Sequence, residues 1–260
     1  MRERKRNLVL PPILGEKPSL QRYNGELDRL IGQITYAIKC EVFPLYRRYE
    51  RANDSLLDEL IICFTTLRNR FASIGNLART AETYIHENAN ATLKRKNNFI
   101  ERAGFRLQFK PSERVKNILL SQIEQNVQTI KTIPQQYLDR VEKQVVNAAM
   151  QGWNHKQLVD VLERQYDITR NRAKFIAISQ QKLAVNAVDR QTSLDAGLNR
   201  AMWWHIALSS ERYPRFSHVQ AWQQRRIFDL NIGCEIDGEF IQPGQLFGCQ
   251  CTARTFLDYP

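Results

Sequence analysis

Apolar residues recur along most of this chain with the three-and-four spacing of amphipathic helices. From Leu20 to Arg51, the positions Leu27, Leu30, Ile31, Ile34, Ala37 and Ile38 share one face. Asn53 or Asp54 can cap the helix that follows. In that helix Leu57, Leu60, Phe64, Leu67, Phe71, Ile74, Ala78, Ala81 and Ile85 form a heptad seam. A hairpin with Leu20–Arg51 is the expected partner of this seam, and packing between subunits is the alternative. Ser112–Ile133 carries Val115, Ile118, Leu119, Ile123, Val127 and Ile130 as a further stripe. Pro134 then opens a new helix with Thr132 as its cap, a stripe of Leu138, Val141, Val145 and Ala148, and Gly152 at its end. Asn154 or His155 starts a short helix bearing Leu158, Val161 and Leu162. Thr169 is expected to cap the last long helix, Arg170–Ala196, closed by Gly197, with Ala173, Ile176, Ala177, Leu183, Ala184, Ala187 and Leu194 buried.

Both ends break this rhythm. Asn7–Ser19 holds Pro11, Pro12, Gly15 and Pro18 among Leu8, Val9, Leu10, Ile13 and Leu14, the composition of an extended arm. A frayed terminus is one reading. A docking arm that contacts another subunit is the other, and the aliphatic residues favour it. After Gly197, Ala201–Leu208 reads as a strand rich in Met202, Trp203, Trp204 and Ile206. Tyr213–Phe228 reads as an irregular or short helical connection. Cys234–Ile241 reads as a hairpin, in which Asp237-Gly238 suits a type I′ turn that pairs Cys234 with Ile241 and Ile236 with Glu239. Pro243-Gly244 marks another turn, and Cys249–Phe256 a final strand. The expected class is α+β: a long, mostly helical body followed by a small C-terminal mixed domain with antiparallel strands. The expected divisions are an arm over 1–20, a helical hairpin or coiled coil over 21–110, a second helical part over 111–198, and the mixed domain over 199–260.

Charge sharpens the picture. The 260 residues include 38 Lys and Arg against 27 Asp and Glu, a net charge of +11. From Arg200 onward Arg200, Arg212, Arg215, Arg225, Arg226 and Arg254 balance Glu211, Asp229, Glu235, Asp237, Glu239 and Asp258, so residues 1–199 carry the excess. A basic body favours polyanions such as nucleic acid or an acidic protein surface. The densest stretch contains Lys94, Arg95, Lys96, Arg102, Arg106 and Lys110, the candidate nucleic-acid contacts, and a solvated face is the plainer reading. No apolar run reaches the roughly 20 residues of a membrane span, so no membrane partner is expected. Pro11 and Pro12 cut the apolar stretch behind the basic N-terminus, so a secretory signal is not expected. A reducing cytosol then disfavours disulfides among the five cysteines.

Chemistry concentrates near the C-terminus. On a strand, Cys249 and Cys251 share a face, with Cys234 and His218 as further candidates for a tetrahedral zinc set. The alternative, and the expected one, is that these thiols pack as core and no cofactor binds. His205 reads as a core or edge histidine. His86 and His155 are solitary. Trp203, Trp204 and Trp222 read as core before they read as base-stacking platforms. A nuclease-like cluster of Glu211, Arg215 and His218 is imaginable, but no catalytic residues are assigned. The chain shows no glycine-rich phosphate loop, no nucleophile elbow and no paired carboxylates at a useful spacing, so an enzyme is not expected.

Several of these residues, in order, resemble a family. Arg172-Ala173-Lys-Phe-Ile176-Ala177 opens a helix running to Ala196-Gly197. Then come Trp203-Trp204, Arg215-Phe-Ser-His218, Pro243-Gly244 and Cys249-Gln-Cys251. This succession resembles bacteriophage head-morphogenesis proteins, the minor head proteins of the Mu type, over about residues 115–260 and hardly at all before them. There are departures: Ile178-Ser179-Gln180 stands where the family has Arg-Thr-Glu, and the glycine that usually follows the histidine is missing near Ala221-Trp222. Some relatives also carry a Cys-x-x-Cys where this chain has Arg215 to His218. The resemblance implies a low-copy virion protein that binds the portal protein or the major capsid protein and acts in head assembly and in genome packaging or delivery. Packaged double-stranded DNA is a second implied partner. Its place would be the phage head, and the host cytoplasm during assembly. The alternatives are a DNA-binding protein ejected with the genome, or a nuclease- or toxin-like effector in the C-terminal domain.

Overall fold

A computed structural model describes residues 8–48, 54–73, 75–206 and 215–257. Long helices precede a small group of antiparallel strands, an α+β arrangement. The chain divides into two compact units, one drawn from Met1–Leu20, Thr83–Glu124 and Ile178–Pro260, the other from Gln21–Glu82 and Gln125–Ala177. These units cut across the consecutive divisions expected from the sequence, because four helices each lend residues to both.

In the unit containing Gln21, helix α1 (Lys17–Ala37) passes through a π-helical turn (Ile38–Val42) into α2 (Phe43–Arg48). Tyr23, Leu27, Ile31, Ile34, Ala37 and Ile38 are buried, the stripe read from the sequence with Tyr23 added one turn earlier and Leu30 only half-buried. The Tyr23 hydroxyl donates to Asn126 Oδ1 at 2.9 Å, and the Thr35 and Tyr137 hydroxyls meet at 2.8 Å. Helix α3 (Asp54–Phe71) buries Leu56, Leu60, Phe64 and Leu67. The expected seam does not run on unbroken. Helix α3 stops at Phe71, and α4 (Gly75–Arg102) restarts beyond Ser73, where serine and glycine are weak helix formers. In this unit it buries Leu77 and Ala81. The partner of α3 is intrachain: Arg70 holds Glu41 through both guanidinium nitrogens, at 2.5 and 3.0 Å. Asn53, the Asp54 side chain and Ile74 lie outside the described residues.

Two further expectations of helix breaks are overturned. Helix α5 (Glu113–Gln151) runs straight through Pro134, and the Thr132 hydroxyl donates back to the Thr129 carbonyl at 2.7 Å rather than capping a new helix. Helix α6 (His155–Asp195) runs through Thr169, whose hydroxyl donates to the Gln165 carbonyl at 2.8 Å and accepts from Arg140 at 2.9 Å. A threonine hydroxyl can satisfy itself inside a helix this way, so a potential cap residue need not mark a boundary. Asn154 does cap α6, exchanging hydrogen bonds with Gln157 at 2.9 and 3.0 Å.

In the unit containing the C-terminal strands, a four-stranded antiparallel sheet has the order β1-β6-β2-β3. Its strands are β1 (Leu8–Val9), β2 (Arg200–Trp204), β3 (Ile227–Asp229) and β6 (Thr252–Leu257). Strands β4 (Cys234–Ile236) and β5 (Glu239–Ile241) form the separate hairpin in the expected register, Cys234 opposite Ile241 and Ile236 opposite Glu239. Asp237 and Gly238 both have positive φ, 55° and 80°, as the type I′ turn demands.

The arm docks on its own chain and is extended only as far as Glu16, short of the expected Ser19, because α1 already begins at Lys17. Leu8 pairs with Leu257 and Val9 with Phe256, and Leu10 N–H donates to the Thr255 carbonyl at 2.8 Å. Leu10 and Ile13 are buried, while Leu14 is exposed. Residues 1–7, including Asn7, lie outside the described residues. At Gly15 an added Cβ would lie 2.1 Å from the Gln181 side chain. Only glycine lets that side chain reach the Glu16 carbonyl, to which it donates at 3.0 Å. Because the arm completes a core, Leu10→Ala is expected to cost about 2–5 kcal/mol in denaturant unfolding. Leu14→Ala is expected to stay within about 0.5 kcal/mol. Equal effects would show that the arm is not anchored this way.

Candidate functional site

Three short segments of the C-terminal unit bring two cysteines and two histidines together. Helix α7 (Phe216–Gln223) starts after the extended residue Arg215, and His218 lies in its first turn, buried. His205 follows β2 directly. Cys249 and Cys251 lie in the loop before β6, which starts at Thr252. They are therefore not on the final strand, as the sequence predicts, and the loop rather than strand alternation sets their directions.

That loop is held from several sides. Gly244 has φ +77° in the Pro243-Gly244 turn, closed by Gln245 N–H donating to the Gln242 carbonyl at 3.1 Å. A Cβ at Gly244 would lie 2.0 Å from Asn186 Nδ2. That amide donates to the Cys251 carbonyl at 3.0 Å, and its oxygen accepts from the Thr252 hydroxyl at 2.8 Å. Cys249 N–H donates to the Leu246 carbonyl at 2.9 Å. One buried asparagine on α6 thus clamps the loop, and the glycine leaves room for it.

The sulfurs face imidazole nitrogens. His218 Nδ1 lies 3.3 Å from Cys249 Sγ and 3.7 Å from Cys251 Sγ. His205 Nδ1 lies 3.5 Å from Cys251 Sγ. The donor atoms of His218, Cys249 and Cys251 all fall within 4.8 Å of one another. Trp203 sets its edge against the His218 ring, centroids 5.2 Å apart at 88°, and Trp222 tilts against His205 at 6.0 Å. The Cys249 thiol titrates far below its usual range, chiefly because Cys251 hydrogen-bonds to it and also because of His218, against the opposing effect of burial. Lys182 on α6 is brought down to about 8 by burial, while the charges of Cys251 and Cys249 hold it up. Two sulfurs beside two imidazoles are a donor set for a borderline-soft metal.

Cys234 does not join them. It is buried in β4, where its thiol approaches the Glu235 carbonyl at 3.9 Å, and burial raises its pKa. His205 takes its place, a residue the sequence reading sets aside as core. Alternation in β2 carries the signal: Ala201 and Trp203 are buried in turn, and His205 continues the same face.

The other motif positions serve packing. Ala173, Ile176 and Ala177 are buried on α6, and Arg172 is exposed. Gly197, at φ +76°, closes α6, with Leu198 N–H donating to the Ser193 carbonyl at 2.9 Å. Trp204 packs against Trp222 at 5.9 Å and beneath Arg254 at 4.7 Å. The imagined nuclease cluster does not converge among the described residues. Arg215 is exposed and donates to the Phe247 carbonyl at 3.1 Å, His218 is buried against sulfur, and Glu211 lies outside the described residues.

The basic stretch divides in two. Lys94, Arg102, Arg106 and Lys110 are exposed. Arg95 ties down the arm, pairing with Glu16 at 2.6 Å and donating to the Leu14 carbonyl. Lys96 is 0% exposed, which removes it as a nucleic-acid contact. Its Nζ pairs with Asp189 Oδ1 at 2.8 Å and donates to the Asp189 carbonyl, Thr192 Oγ1 and Ser193 Oγ at 2.8, 2.9 and 2.7 Å. It also sits 4.1 Å above the Phe109 ring. Burial lowers its pKa, and Asp189 opposes that shift.

Comparison with known proteins adds little. No family model and no solved structure matches the chain. The chain is similar to an uncharacterized protein of Haemophilus influenzae, 31% identical over 134 residues, or 51% of this chain. The match spans 28% of that protein's length.

Two outcomes test the division of the basic stretch. Lys96→Met is expected to cost about 3–5 kcal/mol by leaving the Asp189 carboxylate buried and uncompensated, and adding Asp189→Leu should restore much of that loss. Any DNA affinity should fall with salt at a log–log slope of about −0.9 per phosphate neutralised. Changing Lys94, Arg102, Arg106 and Lys110 to Gln should flatten that slope without lowering stability. An unchanged slope would leave these four as a solvated face.

Proposed function

We propose that this chain is a structural protein of a bacteriophage head. In this reading it is a minor head protein that associates with the portal protein or the major capsid protein and acts in head assembly and in genome packaging or delivery. The supporting observation is the fate of the motif residues. Trp204, His218, Gly244, Cys249 and Cys251 are dispersed in sequence, yet they build one packed core and its rim around α6, with Asn186 clamping the loop. A succession of residues that meets in a core is a folding signature, the kind of constraint an assembly module needs. An active site would instead aim its polar groups into an open cleft. Exposed Lys94, Arg102, Arg106 and Lys110 favour packaged double-stranded DNA as a further partner. This reading places the protein in the virion, in few copies, and in the host cytoplasm during assembly.

Association is tested with a tagged full-length chain expressed in cells producing the phage. It is expected to recover the portal protein or the major capsid protein and to be present in purified heads. Heads that lack the protein, together with capture no better than an unrelated bait, would overturn the reading.

A further inference from the structure

We propose that Cys249, Cys251, His218 and His205 bind one zinc ion in a tetrahedral site that staples α7, the end of β2 and the loop before β6. The inference stands on geometry and is independent of any role in a phage head.

Structural zinc takes four Cys or His ligands, with bonds of about 2.3 Å to sulfur and about 2.1 Å to nitrogen, so the edges of its tetrahedron measure about 3.6 Å. The sulfur–nitrogen separations here are 3.3, 3.5 and 3.7 Å. These are the separations between neighbouring ligands around a shared ion. Three of the ligand residues come from the cluster whose donor atoms lie within 4.8 Å of one another, and His205 Nδ1, beyond that cluster, lies 3.5 Å from Cys251 Sγ as the candidate fourth ligand. All four residues are buried, so the site has the closed form of a structural centre rather than the open position of a catalytic one.

Thiols packed as ordinary core would be surrounded by carbon. Here each faces an imidazole nitrogen, and both imidazoles present Nδ1. Trp203 and Trp222 fix the planes of the two rings. Asn186 and the Gly244 turn fix the Cys-x-Cys backbone, the outer support that a metal site needs to hold its ligands in place. On binding, the two thiols lose their protons to solvent, and both imidazoles bind in the neutral form through Nδ1. Two thiolates then balance the dication, and no oxidation or reduction occurs.

The test uses the full-length chain purified without chelators from zinc-supplemented medium. About one zinc per chain is expected. Replacement by cobalt should give the intense visible bands of a tetrahedral ion together with a thiolate-to-cobalt charge-transfer band. Cys249→Ser, Cys251→Ser and His218→Ala should each abolish stoichiometric zinc, and His205→Ala should change the cobalt spectrum. Should the cysteine variants fail to fold, the wild-type protein still decides the matter. A chelator should release the metal and expose two more thiols to alkylation. Wild-type protein without zinc and without a tetrahedral cobalt spectrum would overturn the proposal, as would a native disulfide between Cys249 and Cys251. A His205→Ala spectrum identical to wild type would overturn the four-ligand assignment.

Discussion

The unit that carries the C-terminal strands depends on one buried charge. Lys96 extends from α4 into a site with no access to water, where an unpaired ammonium would not be tolerated. Its three polar partners besides the Asp189 carboxylate come from one stretch of α6: the Asp189 carbonyl and the hydroxyls of Thr192 and Ser193. Satisfying all of them fixes α4 against α6 in both rotation and register. The same stretch then reaches the sheet, since Ser193 Oγ lies 3.2 Å from Thr255 Oγ1 on β6. Buried pairs of this kind are weak evidence for net stability and stronger evidence for a single arrangement. Here the arrangement fixed is that of the helix on which Asn186 holds the cysteine loop.

What the sequence made legible was local. The stripe through Leu27, Ile31, Ile34 and Ile38 and the hairpin around Asp237-Gly238 need only period and turn chemistry, and both are found. What misled was punctuation. Pro134 and Thr169 look like boundaries, yet α5 and α6 run through them, because packing outweighs a single lost hydrogen bond or a self-satisfied hydroxyl. The pairing of the arm with β6 could not be read from either segment alone, since it joins residues from opposite ends of the described chain.

The cysteine cluster shows the same limit in chemical form. Cys249 and Cys251 announce themselves by spacing, and His218 by its place in a family-like motif. His205 lies among tryptophans and reads as core until α7 and the loop close around it. Cys234, the more obvious candidate by composition, shares the apolar core with Cys249 and Cys251, but β4 holds its thiol toward the Glu235 carbonyl. Which of two plausible donors joins a site depends on strand alternation and loop geometry, neither of which is a property of the residue itself.

The central position of β6 has a consequence for the order of events in folding. It lies between β1 and β2, so both neighbours keep an open edge until the last strand arrives. On the ribosome, β1 and β2 emerge well before β6, and each presents unpaired N–H and C=O groups in the interval. Closing the sheet then requires a loop spanning nearly the whole described chain, a contact of high order that forms slowly. During that wait the open edge of β2 is a template for the β6 of another nascent copy. Exchange of this strand between chains is therefore the misassembly most natural to this fold, and one that high local concentrations on a polysome would favour.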